Sequence, residues 1–260
     1  SVAEAIRNVV SMGAWPLCIV DCLNFGNPEK PTVFWEFKEC VKGMAEAART
    51  FKTPVISGNV SFYNETEGVT VNPSPVVGVV GSLKLDNIKT MDFKEENDKI
   101  IIVGSTLGEL GGSEYYKWVH GLLTGDPPLV RFKDELKAAK SIHNIIDKFG
   151  DGITAIHDCS TGGLGVALAE MSIKSGLGAK ISTAKIPNNC KNEHQLLFSE
   201  SHGRYIITVK EEIADNIIAD IKVPSSVIGS VGGDSFQIDD LKVPVKKLQE
   251  TYHGVIEKYM

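Results

Sequence analysis

The chain has no run of lysines or arginines, no apolar stretch of membrane-spanning length, few cysteines and no initiator methionine. A net charge of −6 without a basic cluster argues against a nucleic-acid-binding surface. With neither a membrane span nor a signal peptide, the expected setting is the cytoplasm, with no membrane partner. The five cysteines, at 18, 22, 40, 159 and 190, are scattered. Cys18 and Cys22 stand four apart, but no second pair completes a zinc site, so all five read as buried or half-buried free thiols. No G-x-x-x-x-G-K-[ST] phosphate loop occurs, so any ATP site is of another kind. There is no internal repeat and no low-complexity tract. Ser1 leads directly into a helical pattern, Val2, Ala5, Ile6, Val9 and Val10. A chain that opens inside an element is expected to be a piece of something longer.

What is present is an ordinary globular composition. The 260 residues, 42% hydrophobic and 23% charged, suffice for one large domain or two medium ones. A solvated run, Lys94-Glu95-Glu96-Asn97-Asp98-Lys99, is the expected boundary, separating a domain at 1–90 from one at 98–260. In the first, Gly13 closes the opening helix and Trp15 to Val20 reads as a buried strand. Thr32 is a candidate N-cap for a helix to about Lys52, whose stripe of Phe34, Phe37, Val41, Met44, Ala48 and Phe51 is expected to face the core. Thr53 to Ile56 reads as a short strand and Pro75 to Leu83 as a continuous buried one. In the second domain, strands at Ile100–Val103, Ile153–His157 and Tyr205–Val209 alternate with helices at Lys133–Phe149, after Gly163, and at Glu211–Ile221. Val227–Gly233 and Ser235–Ile238 look like a terminal hairpin, and Lys246 to Tyr259 like a last helix. This order implies an α/β or α+β fold with a mixed sheet.

Two polar segments, each following an apolar strand, gather the candidate ligand residues. The first is Asp21-Cys22-Leu23-Asn24-Phe25-Gly26-Asn27-Pro28-Glu29-Lys30-Pro31. Its Asp21, Asn24 and Asn27 supply oxygens, Gly26 permits close backbone approach and the prolines fix the path. The second is Ser57-Gly58-Asn59-Val60-Ser61-Phe62-Tyr63-Asn64-Glu65. A right-handed crossover through the intervening helix makes the two strands parallel, so both segments emerge at one carboxyl edge, where α/β sheets bind ligands. Asp21 suits a ribose hydroxyl, a base or the orientation of a metal. Gly58 allows a nucleotide close to the backbone, and Asn59 offers a neutral oxygen suited to Mg²⁺. The Ser61 hydroxyl could meet a phosphate or carbonyl. Simpler roles stay open: a well-capped connection at 21–31, a turn cap at Asn59 and a strand start at Ser61.

Further on, the Gly104–Glu114 loop could wrap a phosphate or simply turn tightly. His157-Asp158, before the glycine-rich turn at 159–163, could serve an anion or metal site, although hydrogen bonding that holds the loop is the commoner role.

Six stretches together carry a resemblance. D-C-L-N-F-G-N-P-E-K-P at 21–31, S-G-N-V-S-F-Y-N-E at 57–65 and P-V-V-G-V-V-G at 75–81 come first. L-G-G-S-E-Y at 110–115, H-D-C-S-T-G-G-L at 157–164 and F-S-E-S-H-G-R at 198–204 follow. They resemble the C-terminal half of phosphoribosylformylglycinamidine synthase of the small, multi-subunit type. The resemblance implies an aminoimidazole ribonucleotide synthetase-like fold: an A domain lacking its first strands at about 1–90, then a B domain at about 98–260. It implies an ATP-dependent ligase of purine biosynthesis, converting formylglycinamide ribonucleotide to formylglycinamidine ribonucleotide with glutamine-derived ammonia. By motif, Asp21 and Gly58 match ATP-contacting positions, Asn59 a magnesium ligand and Ser61 a substrate contact. The implied cofactors are ATP and Mg²⁺. The implied partners are the N-terminal half of the same enzyme, a glutaminase subunit and a small third subunit, with pairing of A domains into a homodimer a further option. The catalytic groups belong to the N-terminal half, so none is expected in this chain, which alone should be inactive. Cys22, Thr161 and His202 depart from the family pattern, where Asn, Asp and Gln are common. Two alternatives remain at this stage: a non-catalytic module of the glutaminase complex, or a homodimeric kinase or synthetase of the same fold.

Overall fold

The structure, a computed structural model, describes residues 1–257, with side chains to 255. It divides into two compact units, Ser1–Val10 with Ala14–Leu83, and Ser11–Gly13 with the chain from Lys84 onward. Among the described residues no helix is long and apolar enough to cross a membrane.

The first unit is built on a three-stranded sheet. Helix α1, Val2–Ser11, buries Val2, Ala3, Ile6 and Val10, and Gly13 follows in the left-handed region at φ 91°. Strand β1, Trp15–Asn24, leads through a short loop to α2, Pro31–Phe51, and then to β2, Val55–Ser61. A small hairpin follows, β3 (Glu65–Thr66) and β4 (Val69–Thr70), and β5, Val76–Ser82, completes the unit. The order is β2-β1-β5, with β1 parallel to β2 and antiparallel to β5.

Five sequence expectations change here. Asp21–Asn24 is strand rather than loop, because β1 pairs with β5 through Cys22 and with β2 through Asn24. Likewise β2 runs on through Gly58, Asn59 and Ser61. Helix α2 begins at Pro31, not after a Thr32 cap; proline at the first helical position presets φ and has no N–H to satisfy. Its buried residues are Val33, Met44, Ala47 and Phe51, whereas Phe34 and Val41 are exposed at 53% and 40%, so the buried face is rotated from the apolar stripe. Finally, β5 is an exposed edge strand, not a buried one. Ile19 and Leu23 of β1 are buried on one face of the sheet, and the register aligns Val20 with Gly78, Cys22 with Val76 and Cys18 with Val80 on the other. That second face leaves Val20, Val76 and Val80 open to solvent.

The second unit wraps helices around a seven-stranded mixed sheet. In chain order it contains β6 (Lys99–Val103), α3 (Glu114–His120), α4 (Phe132–Phe149), β7 (Ile153–Asp158), α5 (Gly163–Ser175), β8 (Ala179–Ile181) and α6 (Glu193–Phe198). Then come β9 (Tyr205–Val209), α7 (Ala214–Asp220), β10 (Ser225–Val231), β11 (Ser235–Ile238), β12 (Leu241–Pro244) and α8 (Val245–Glu257). Its order is β12-β11-β8-β10-β6-β9-β7. Every residue of β9 is buried, as are Ile100 to Val103, in keeping with apolar runs flanked on both sides by other strands. Leu164, Leu168 and Met171 of α5 pack with Ile100, Ile102 and Ile206 in the core.

The expected terminal hairpin does not form. β8 lies between β10 and β11, antiparallel to the first and parallel to the second, and the actual hairpin joins β11 to β12. A three-residue strand carries too little pattern to be read from sequence. The expected last helix is seen as α8 to Glu257, and its continuation to Tyr259 lies outside the described residues. The cysteines are free, Cys159 buried and the other four half-buried, as their spacing implied.

Candidate functional site

The parallel pairing of β1 with β2 brings the leading candidates together. Asp21 is registered with Gly58, Cys22 with Asn59 and Asn24 with Ser61. A Cβ built on Gly58 would stand 2.4 Å from Asp21 Oδ1 and 2.7 Å from its Cγ. The Asp21 carboxylate therefore lies over the Gly58 backbone, in space that any larger residue would take. Successive strand residues face opposite ways, so Asp21 and Gly58 share one face and Cys22, Asn24, Asn59 and Ser61 the other. The common carboxyl end is as the sequence implied; the division between faces follows from Gly58 and Asn59 lying within the strand.

Among the described residues neither the Asp21 carboxylate nor the Asn59 amide has a hydrogen-bond or ion-pair partner, so both are available to a ligand. Asn59 is exposed on an edge strand. Among the described residues no group of three or more His, Cys, Asp or Glu side chains could hold a metal. The donor set fits one neutral oxygen toward a hydrated Mg²⁺, with other ligands drawn from water, phosphate or another chain.

The secondary candidates mostly hold the connection between β1 and α2. Asn27 Oδ1 accepts from the Glu29 N–H at 2.8 Å, closing an Asx turn. Gly26 is buried, and a Cβ there would stand 2.2 Å from Thr70 Cγ2. Asn24 Nδ2 lies 3.5 Å from Cys22 Sγ, a weak contact. Ser61 Oγ is within 3.2 Å of Asn64 Nδ2.

Asn64 and Glu65, to which the sequence reading assigned no role, bind the two segments together. Glu65 Oε1 accepts from Asn27 N–H at 3.1 Å, Lys30 Nζ at 2.7 Å and Thr70 Oγ1 at 3.2 Å. The Lys30 ammonium, then the Asn27 N–H, hold the Glu65 carboxyl below the usual carboxylate range. One signal was present: Glu67-Gly68 between Thr66 and Val69 has the form of a two-residue hairpin turn, and both residues have positive φ, 51° and 82°.

In the second unit the glycine-rich loops are already engaged. Glu200 Oε1 accepts from the Glu114 N–H at 3.0 Å and the Gly162 N–H at 2.9 Å. Ser201 Oγ donates to Leu107 O at 2.7 Å and accepts its N–H at 3.0 Å. The Gly108 N–H donates to Asn189 Oδ1 and the Gly112 N–H to Thr124 O. These amides close the loops internally, which favours the tight-turn role over a phosphate cradle. His157 also holds structure: Nε2 is 2.9 Å from Glu170 Oε2 on α5, and Nδ1 is 3.6 Å from Asp158 Oδ1.

Burial would pull the His157 pKa down, but its hydrogen bonds to Asp158 and Glu170 prevail and raise it to about 9. A pKa raised in the folded state contributes stability that is fully present below the ordinary value of 6.5 and is lost as pH climbs through about 9. The urea midpoint should therefore fall between pH 7 and pH 10 (). In H157Q this part of the decline should vanish, and an unchanged slope would count against the pairing.

Family profiles match both units. AIR synthase related protein, N-terminal domain, covers residues 1–83, and AIR synthase related protein, C-terminal domain, covers 95–240. The chain belongs to the AIR synthase related protein family. It is 65% identical over 260 residues to phosphoribosylformylglycinamidine synthase subunit PurL of Methanothermobacter marburgensis, covering 100% of this chain and 36% of that protein. The same subunit of Methanothermobacter thermautotrophicus is 61% identical over 260 residues, again covering 100% of this chain and 36% of that protein. Among solved structures, T. maritima PurL complexed with ATP matches at a TM-score of 0.73 and 19% identity, over 95% of this chain and 40% of that one. The complex of the same protein with FGAR gives 0.72 and 19%, over 95% and 42%. At that identity the structural likeness speaks for the fold alone, and the expected aminoimidazole ribonucleotide synthetase-like architecture is borne out. The resemblance first carried by short motifs extends across the whole chain, which spans about 36% of the length of these curated relatives.

Proposed function

We propose that this chain works as the C-terminal half of a phosphoribosylformylglycinamidine synthase, supplying one wall of its ATP site. The observation that carries this reading is the Asp21–Gly58 pair, an unengaged carboxylate over a bare backbone, in a chain 65% identical to a PurL subunit. Asp21 accepts a hydrogen bond from the nucleotide, Gly58 admits it close to the strand, and Ser61 contacts formylglycinamide ribonucleotide. Asn59 contributes an oxygen to Mg²⁺, which when bound offsets the charge of the phosphates. In the reaction ATP phosphorylates the substrate amide oxygen, and ammonia displaces phosphate to leave the amidine, ADP and phosphate. No catalytic acid or base is assigned to this chain; those groups are expected from the N-terminal half. A glutaminase subunit supplies the ammonia from glutamine, and a small third subunit completes the complex. The helix-free face with Val20, Val76 and Val80 exposed supports pairing with another A-type domain, because apolar surface of that kind favours burial. The setting is the cytoplasm.

Asn59→Ala in the complete enzyme tests the metal contact. Loss of one neutral oxygen should raise the Mg²⁺ concentration for half-maximal rate about tenfold and lower kcat. A superimposable magnesium titration would remove Asn59 from the metal's surroundings.

A further inference from the structure

The residues from Ser61 to Thr70 meet the loop between β1 and α2 along its length. The Phe25 N–H donates to Ser61 O at 2.9 Å, the Tyr63 N–H to Gly26 O at 2.9 Å and the Asn64 N–H to Phe25 O at 3.1 Å. Asn64 Nδ2 adds contacts to Phe25 O at 3.0 Å, Ser61 O at 3.1 Å and Ser61 Oγ at 3.2 Å. Beyond them, one oxygen of Glu65 gathers three donors from three places: a loop amide, the Lys30 ammonium at the start of α2 and the Thr70 hydroxyl of the hairpin. A neutral acceptor could not hold the lysine as an ion pair, and a shorter side chain would not span the gap. Thr70 itself lies directly against Gly26, leaving no room for a side chain there.

We propose that Glu65 is a positioning residue: it locks the 25–30 loop onto the β3–β4 hairpin and, through Asn64, fixes the Ser61 hydroxyl at the carboxyl end of β2, on the face it shares with Asn59. The inference rests on the functional reading above, since it concerns the same site. The engaged oxygen of Glu65, Oε1, is taken up by the loop and hairpin, so its role is one of positioning. Lys30, and then the Asn27 N–H, hold the carboxyl below the usual carboxylate range, which is already charged at neutral pH, so the ion pair persists there.

The test uses E65A and E65Q in the complete synthase, with hydrogen exchange measured on this chain. In E65A the KM for ATP or for formylglycinamide ribonucleotide should rise about tenfold, as expected for loss of a charge-assisted contact that orders the site. E65Q keeps an oxygen for the Asn27 N–H but loses the ion pair, so it should recover part of that loss. Exchange at the Asn27 amide should quicken about tenfold in E65A, while the Ile19 and Leu23 amides in β1 keep their protection. A drop in kcat that follows only the folded fraction, with both KM values unchanged, would reduce Glu65 to a stabilising residue and overturn the proposal. Unchanged exchange at Asn27 would overturn it as well. A wild-type enzyme without ATP dependence would instead sink the functional reading, and the exchange experiment would still decide whether Glu65 holds the loop.

Discussion

Gly58→Ala is expected to leave the fold nearly as stable as before while reducing kcat/KM for ATP by about 10- to 100-fold, the equivalent of one charge-assisted hydrogen bond. The added methyl would stand 2.4 Å and 2.8 Å from the two Asp21 carboxylate oxygens, closer than real contacts permit. Those oxygens end a short flexible side chain, so the carboxylate rotates away rather than the strand. Position 58 is exposed on the edge strand β2, where a methyl disturbs no core and slightly favours the extended chain. The two effects therefore separate. Nucleotide kinetics should change strongly while the urea midpoint stays within the usual spread for surface substitutions, about 0.5 kcal/mol. A large loss of stability with unaltered ATP kinetics would mean that Gly58 serves only the strand pairing.

Arg204→Ala should produce the largest loss of stability in the chain. The guanidinium is fully buried, donating to Ser201 O at 2.9 Å, Thr106 Oγ1 at 3.0 Å and Ser199 O at 2.7 Å. Truncation leaves two carbonyls and a hydroxyl without this donor and opens a cavity beside β9. Breaking a buried charged network of this kind costs about 3–5 kcal/mol. Lysine should not restore it, because a single ammonium cannot reproduce the fixed fork of donors. Urea unfolding followed by circular dichroism measures the loss, and a change below about 1 kcal/mol would show that the segment is held by something else. Ser201, which clasps Leu107, lies in the same segment, so the 104–114 loop should loosen too.

The sequence made the framework readable where the pattern was long or chemically distinctive. Gly13 ending α1, the apolar run leading into β1, and the strands Ile100–Val103 and Tyr205–Val209 all stand where periodicity and burial put them. The misreadings have definite causes. Polar residues in Asp21–Asn24 and Ser57–Ser61 look like loop, yet ladder hydrogen bonds ignore side-chain polarity and carry both strands onward. Pro75 to Leu83 looks buried because it is apolar, but hydrophobicity does not reveal whether a sheet face is covered within its own unit. The three-residue β8 defeats any hairpin argument because nonlocal pairing chose the neighbours of β10 and β11. At the site, the shared carboxyl edge of the two segments was implicit in the parallel crossover, but the in-register pairing of Asp21 with Gly58 inside the strands was not. Glu65 was not readable: its importance comes from a hairpin folding back on a loop whose Asn27 lies 38 residues earlier in sequence.

The central claim is that this chain provides one wall of an ATP site completed by another half. Its most direct test is turnover of ATP, formylglycinamide ribonucleotide and ammonia, measured with this chain alone and with the purified complementary half added. The account predicts no formylglycinamidine ribonucleotide from the chain alone, and product formation that saturates as the complementary half is titrated in. Turnover by the chain alone, or none at any ratio of the two folded halves, would contradict it.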